Sequence, residues 1–213
     1  MTREVVAQQP PSRPLDGFPV REITPETELL RAHSAAFGAW WFSSDGGGRF
    51  DLPHPRGTCY LADSALVAVR ERLGVVLGGA ALVPSSLLAG VVVSRLQLPT
   101  PRLCADVQAR AATRFGVTRE LETMVPYAVP QAWARGFADV GLEGVSYGPR
   151  FTTGPGSSVA VFGAAGSADL PVDAQPVAAQ AVPGVPVAVD PPRLKDLDVV
   201  RPPRTRGTSE PER

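Results

Sequence analysis

The stretch GGGRFDLPHPRGTCYLADSALVAVRERLG, residues 46–74, carries the signals of a loop, a strand and a helix in immediate succession. Three glycines open it, where the backbone can turn sharply or approach another group closely. Its TCYLA segment is rich in β-branched and aromatic residues and predicts a strand. Asp63 or Ser64 is a natural N-cap for a helix that runs to Leu73 and ends at the next glycine. The stretch therefore predicts a compact unit in which a strand leads directly into a helix.

Segments on either side of this unit extend the pattern. Strand signals of β-branched, aromatic or alternating apolar residues occur in LLRAHSA (29–35), VVVSRLQL (91–98), GVSYG (144–148) and SVAVF (158–162). Residues 127–140 predict a second helix, with Pro130 in its first turn, where a missing N–H costs least. The apolar run at 73–93 is interrupted by glycine, proline and serine, which favours a buried hairpin or strand pair over a membrane-spanning helix. The sequence predicts an α+β domain of short β-strands with a few helices.

Composition sets the expected domain limits. Residues 1–17 contain QQPPSRP and little apolar periodicity, so they predict a disordered leader. We expect the folded domain to occupy residues 18–163. Residues 164–213 are rich in proline, alanine and valine and contain no aromatic side chain. Such a segment cannot bury enough apolar surface to offset its ordering entropy, and it predicts a disordered tail.

Charge and cysteine content exclude several classes of function. The 21 acidic and 21 basic residues balance, so no overall field favours nucleic acid or an anionic membrane. The two cysteines show no CxxC spacing and no signal segment opens the chain, which favours a reducing cytoplasm. The histidines and cysteines do not fall at metal-ligand spacings, so we expect no metal site.

Arg49, Tyr60 and Glu71 are the candidate functional residues of the opening stretch. Arg49 follows three glycines in the sequence. Its guanidinium is planar and can form two parallel hydrogen bonds to a phosphate. The Tyr60 ring could stack on a nicotinamide or adenine, and the Glu71 carboxylate could stabilise a cationic ribose. Each residue also has an ordinary structural interpretation: a surface arginine, a half-buried strand tyrosine and a solvent-facing helix glutamate.

The chain resembles the RES domain family, named for its arginine, glutamate and serine. The resemblance covers residues 18–163, and its most specific part is the order and spacing of GGRFD, GTCYLADS and ALVAVRERLG. LLRAH and WWF precede that block, and GVSYGPRF and VAVF follow it. The resemblance implies an ADP-ribosyltransferase-like fold.

The resemblance also implies a function. RES domains are the toxin halves of bacterial toxin–antitoxin pairs and degrade NAD⁺ by cleaving the nicotinamide–ribose bond, with water or phosphate as acceptor. NAD⁺ would be the substrate, with no further cofactor, and the partner would be an Xre-type antitoxin. By this resemblance Arg49 would grip the pyrophosphate, Tyr60 would pack on the nicotinamide and Glu71 would stabilise the ribosyl cation. Arg31 and Ser146 would be further contacts to the dinucleotide.

One position departs from the family pattern. The family serine aligns with Pro149, which offers neither a hydroxyl nor a backbone N–H. Ser146 lies three residues earlier and, by strand alternation, points away from the face of Pro149. Three hypotheses follow: an NAD⁺-cleaving enzyme, a non-catalytic RES-like dinucleotide-binding module, and, ranked last, an ADP-ribosyltransferase that modifies a macromolecule.

Overall fold

The computed structural model describes residues 7–77, 82–172 and 175–190, together with Lys195. Residues 1–6 of the predicted leader, and the predicted tail beyond residue 190 apart from Lys195, lie outside the described residues. Within the described part, short strands alternate with three α-helices and four 3₁₀ helices, which confirms the predicted α+β class.

The strands and helices are numbered here in chain order. The strands are β1 (Val20–Ile23), β2 (Leu29–Ser34), β3 (Trp41–Phe42), β4 (Arg56–Ala62), β5 (Leu82–Pro84), β6 (Val91–Leu96), β7 (Arg102–Asp106), β8 (Gly144–Tyr147), β9 (Ser158–Ala164), β10 (Gly166–Ser167), β11 (Val177–Ala178) and β12 (Val187–Val189). The α-helices are α1 (Ala65–Leu73), α2 (Ser85–Leu88) and α3 (Ala128–Asp139). The 3₁₀ helices are Gly74–Leu77, Arg110–Phe115, Arg119–Glu122 and Ala179–Ala181.

One eight-stranded sheet organises the described residues, in the order β1-β7-β8-β9-β4-β2-β6-β11. Its neighbours are antiparallel except for β7 and β8, which run parallel. Strands β4 and β9 pair along their full length, whereas β2 and β4 share a single paired position, Leu30 with Ala62. The sheet is therefore weakly joined between β2 and β4.

Because successive side chains of a strand point to opposite faces of the sheet, neighbouring residues of one strand pack in different hydrophobic cores. On β4, Cys59 and Leu61 pack with Trp40 on one face of the sheet, and Tyr60 packs on the other face. That second face is covered by α3, whose Trp133 joins the same core as the Tyr60 ring. Helix α1 covers β2 and β6 in a third cluster. The sequence expectation that Tyr60 faces away from Cys59 and Leu61 is confirmed.

The predicted helices form with the caps that the sequence indicates. The Ser64 side chain accepts a hydrogen bond from the Val67 N–H at 3.2 Å, and α1 ends at Gly74, which has a positive φ of 57°. Helix α3 occupies the predicted second helix and includes Pro130 near its start. Strands β2, β4, β6, β8 and β9 match the five predicted strands to within two residues at each end.

Other segments differ from the expectations. Strands β1 and β7 lie at one edge of the main sheet and were not predicted, because exposed and buried residues do not alternate along their four or five positions. The run at 73–93 is not a hairpin in its described part: β5 pairs with β12, whereas β6 pairs with β2 and β11. No helix in the described ranges is both long and apolar enough to span a membrane.

The ordered chain extends beyond the predicted limits of 18 and 163. Before residue 18, Leu15 is buried in the core beneath α3. After residue 163, the segment 177–182 contributes β11 and the buried residues Ala179 and Val182, which pack in the α1 cluster. The small apolar side chains of this segment are therefore enough to hold it against a core that other elements form, although they could not form a core of their own.

The loop between β3 and β4 is held by hydrogen bonds to a tyrosine and an aspartate. The Tyr60 hydroxyl donates to Asp51 Oδ1 at 2.8 Å and accepts from the Phe50 N–H at 2.8 Å. Asp51 Oδ2 accepts from the Gly48 N–H at 2.9 Å and from the Ser43 hydroxyl at 3.1 Å. The loop that carries the GGGRFD motif is therefore fixed to the central strand of the sheet.

Gly48 is the point of closest approach in this loop. A Cβ at Gly48 would lie 2.3 Å from both Asp51 Oδ1 and Tyr60 Oη, so Gly48→Ala must displace the hydrogen-bonded pair. We expect Gly48→Ala to lower the free energy of unfolding by about 1–3 kcal/mol, measured by denaturant titration. Gly47→Ala is the matched control, because its Cβ would meet only the exposed side chain of Asp45, at 3.1 Å. Equal losses in the two variants would contradict this account of the loop.

Candidate active site

A cavity of about 330 Å³ opens at the weakly paired junction of β2 and β4, beside α1. Its volume lies at the lower end of the range of small-molecule sites. The wall includes Arg31 from β2, Arg49 from the loop before β4, Tyr60 from β4 and Glu71 from α1. Four of the five residues that the sequence singles out therefore meet at one cavity.

The cavity has an excess of positive charge. Arg31, Arg49 and Arg72 line it, and Glu71 is the only carboxylate among its lining residues. The two ion pairs found in the described residues lie elsewhere, so none of these arginines is neutralised by a carboxylate at contact distance. Burial and the charge of Arg31 lower the pKa of Arg72. An anionic ligand would relieve this mutual repulsion.

The Arg49 side chain is buried, and its Nε lacks a hydrogen-bond partner among the described residues. Its side chain is only 7% exposed, and its guanidinium carbon lies 5.5 Å from the centre of the Tyr127 ring. The Arg49 Nε is buried and donates no hydrogen bond within the described residues. Buried N–H groups normally donate a hydrogen bond, so the Arg49 Nε is free to donate one to an acceptor atom of a bound ligand. The interpretation of Arg49 as an ordinary surface arginine is wrong.

Glu71 fastens a loop as well as lining the cavity. Its Oε1 accepts a hydrogen bond from the Phe151 N–H at 2.6 Å, and the preceding residue, Arg70, donates from Nε to the Phe151 carbonyl at 2.8 Å. Both backbone groups of Phe151 are thus held by the last turn of α1. No hydrogen bond engages Glu71 Oε2 within the described residues, which leaves one carboxylate oxygen available to a ligand.

Tyr60 contributes its ring, not its hydroxyl, to the cavity. The hydroxyl is already occupied by the Phe50 N–H and the Asp51 carboxylate. Burial and the neighbouring Asp51 charge raise the pKa of Tyr60 well above its usual value. The phenol therefore stays protonated and acts as a structural donor, while the ring remains part of the wall.

Ser146 and Pro149 are not among the residues that line this cavity. Ser146 is fully buried, and its hydroxyl accepts a hydrogen bond from Arg21 at 3.3 Å. Ser146 pairs with Val159, which belongs to the core of the opposite sheet face. Pro149 lines a separate cavity of about 420 Å³ with Glu122. The structure thus separates Ser146 from the predicted dinucleotide contacts.

Several cavity residues were not identified from the sequence. Tyr127 and Tyr147 form aromatic walls, Phe151 and Arg72 border Glu71, and Ser158 begins β9. Tyr147 lies two positions after Val145 in the same strand. Because side chains two residues apart point to the same face of a sheet, the sequence could have predicted that these two share a face. Ser158 and Phe151 carry no such signal, because their placement depends on long-range pairing.

His33 belongs to the core of the sheet. Its Nε2 lies 2.9 Å from the Ser94 hydroxyl and its Nδ1 lies 2.9 Å from the Ser34 carbonyl oxygen, and burial lowers its pKa. Across the described ranges, no group of three or more His, Cys, Asp or Glu side chains is placed to hold a metal ion.

Comparisons with known proteins place these features in a family. The chain matches the RES domain model over residues 28–190. No curated protein sequence matches it. Its fold is similar to a chain in the crystal structure of the M. tuberculosis MbcT–MbcA toxin–antitoxin complex, with a TM-score of 0.53 and 19% identity. The similarity covers 67% of this chain and 76% of that chain.

The family match extends to residue 190 and so includes β11 and β12, which lie beyond the domain limit of residue 163 that the composition predicts. It also contains the loop, strand and helix that line the cavity. Because the match spans well over half of its 213 residues, the chain belongs to the RES domain family.

Proposed function

We propose that this RES-domain protein cleaves the nicotinamide–ribose bond of NAD⁺, with water or phosphate as the acceptor. One observation carries the proposal: three arginines with no carboxylate partner and one glutamate line a single cavity walled by aromatic rings. A dinucleotide supplies the anionic pyrophosphate, the cationic nicotinamide ring and the ribose that such a cavity fits.

The arginines account for binding of the pyrophosphate. Arg49 presents an unsatisfied Nε, and its guanidinium is held in place by the Tyr127 ring. A guanidinium can form two parallel hydrogen bonds to a phosphate, and such charge-assisted bonds are stronger than neutral ones. Arg31 and Arg72 add positive charge to the same cavity. Arg31 Nη1 also donates to the Ala39 carbonyl, which orients its guanidinium.

Glu71 accounts for the chemical step. When the bond from ribose C1 to the nicotinamide nitrogen breaks, nicotinamide leaves with the electron pair and the ribosyl group becomes cationic. The Glu71 carboxylate would stabilise that cation, as carboxylates do at other glycosidic bonds. Water or phosphate then bonds to C1, and an attacking water releases one proton. The products are nicotinamide and ADP-ribose, or its 1-phosphate.

Aromatic rings account for recognition of the nicotinamide. Tyr60 on β4, Tyr127 just before α3 and Tyr147 on β8 all line the cavity, so a flat ring could be enclosed between them. A cationic ring is attracted to aromatic faces, and the attraction ends when the bond breaks and nicotinamide becomes neutral. This difference favours release of the product.

A second candidate is a binding module without turnover. Pro149 favours it, because the position that aligns with the family serine lies at a different cavity and lacks a hydroxyl. This candidate predicts that NAD⁺ raises the melting temperature without releasing nicotinamide.

We further propose that the protein acts as a toxin controlled by an Xre-type antitoxin. The similar fold in the M. tuberculosis structure comes from a toxin–antitoxin complex, and the RES family assignment is consistent with that role. Induced expression in a bacterial host should lower cellular NAD⁺ and arrest growth, and Glu71→Gln should abolish both effects. Growth arrest with unchanged NAD⁺ would contradict this proposal.

Glu71→Gln separates the charge of Glu71 from its structural hydrogen bond. The amide oxygen of glutamine can still accept from the Phe151 N–H, but it cannot stabilise a cation as a carboxylate does. We expect nicotinamide release by Glu71→Gln to fall about 10²–10³-fold with the melting temperature nearly unchanged. Glu71→Ala should lose both activity and stability. Unchanged release by a well-folded Glu71→Gln variant would contradict the assigned role.

Arg49→Lys tests recognition of the pyrophosphate. Lysine keeps the positive charge but loses the planar fork, so we expect weaker NAD⁺ binding, by about 10-fold, in isothermal titration calorimetry. Arg56→Lys is the matched control: the Arg56 guanidinium lies 5.8 Å from the Phe162 ring centre, and Arg56 is not among the cavity-lining residues. Equal effects of the two substitutions would argue against phosphate binding by Arg49.

A further inference from the structure

Ser158 is a buried serine at the cavity that has no assigned role in the RES motif. It begins β9, is 1% exposed and lines the same cavity as Arg49 and Glu71. Its hydroxyl forms no hydrogen bond of ordinary geometry with any described residue. Leaving a buried hydroxyl unpaired costs free energy, and a bound ligand could recover that cost.

The unpaired groups are concentrated at this cavity. Four buried side-chain polar atoms in the described part of the chain lack a hydrogen-bond partner, and two of them, Arg49 Nε and Ser158 Oγ, belong to residues that line this one cavity. The other two belong to Arg102, which is ion-paired to Glu143 through another nitrogen, and to Thr152, at the cavity that contains Pro149.

Strand register places Ser158 on the functional face of the sheet. Ser158 pairs with Tyr147 across β9 and β8, and antiparallel partners point to the same side. Tyr147 lines the cavity, so Ser158 faces it too. Ser146 pairs with Val159 one position along and faces the opposite core. The two buried serines therefore differ in the face that they present.

The surroundings of Tyr147 locate Ser158 relative to the charged groups. Burial raises the pKa of Tyr147, and the Glu71 charge raises it further. The Arg49 charge lowers the pKa of Tyr147, and so does a contact of its phenol with the Ser158 hydroxyl that falls short of ordinary hydrogen-bond geometry. The Ser158 hydroxyl thus lies beside a phenol that is within electrostatic range of both the carboxylate and the guanidinium.

We propose that the Ser158 hydroxyl donates a hydrogen bond to the ribosyl phosphate of the dinucleotide, between Glu71 and Arg49. This inference rests on the proposed function, since that reaction places a ribosyl phosphate there. Ser158 would supply the polar contact for which Pro149 has no hydroxyl. It does so from a different strand, eleven residues after the end of β8.

The test compares Ser158→Ala with Ser146→Ala. Both substitutions remove one buried hydroxyl from neighbouring strands of the sheet. We expect Ser158→Ala to lower kcat/KM for nicotinamide release about 10-fold, because one hydrogen bond to a charged group is lost. The melting temperature of the free Ser158→Ala protein should stay nearly equal, because the hydroxyl removed makes no hydrogen bond of ordinary geometry among the described residues. Ser146→Ala should keep its kcat/KM.

A binding measurement separates this contact from the chemistry. In the Glu71→Gln background, which suppresses turnover, calorimetry with NAD⁺ should show weaker binding when Ser158→Ala is added and unchanged binding when Ser146→Ala is added. Equal kcat/KM and equal affinity for the two serine variants would overturn the inference and leave NAD⁺ cleavage in place. A parent protein that neither binds NAD⁺ nor releases nicotinamide would overturn both.

Discussion

The hydrogen bond from the Tyr60 hydroxyl to Asp51 fixes the geometry of the site. It ties the GGGRFD loop to β4, and Asp51 in turn accepts the Gly48 N–H. Burial raises the pKa of Asp51, whereas the hydrogen bonds that its carboxylate accepts, including that from Tyr60, lower it. This network fixes the loop backbone from which the buried Arg49 side chain extends toward the Tyr127 ring. Tyr60 thus has two structural roles, since its ring lines the cavity and its hydroxyl holds the loop.

A second attachment closes the other side of the cavity. Arg70 and Glu71, successive residues at the end of α1, hold the two backbone groups of Phe151. This loop joins β8 to β9 and so sets the positions of Tyr147 and Ser158, which pair at the start of β9. The carboxylate to which we assign the chemistry therefore also helps to assemble the wall around it. This dual role explains why charge and hydrogen bonding must be separated by experiment.

The sequence was informative where local signals suffice. The cap at Ser64, the stop at Gly74 and the alternation around Tyr60 predicted α1 and the orientation of β4. The family resemblance then identified four of the residues that meet at the cavity. The sequence did not predict β1 and β7, the ordered segment after residue 163 or the place of Ser158. These features depend on pairing and packing between distant segments, such as β11 on β6, which composition and period do not encode.

The most direct test of the central claim is a crystal structure of the Glu71→Gln variant with NAD⁺. We expect the pyrophosphate against Arg49, the nicotinamide ring among the three tyrosines, and the adjoining ribosyl phosphate within hydrogen-bonding distance of Ser158. Density for NAD⁺ at the cavity around Pro149, or a cavity at β2 and β4 that remains empty at saturating NAD⁺, would contradict it.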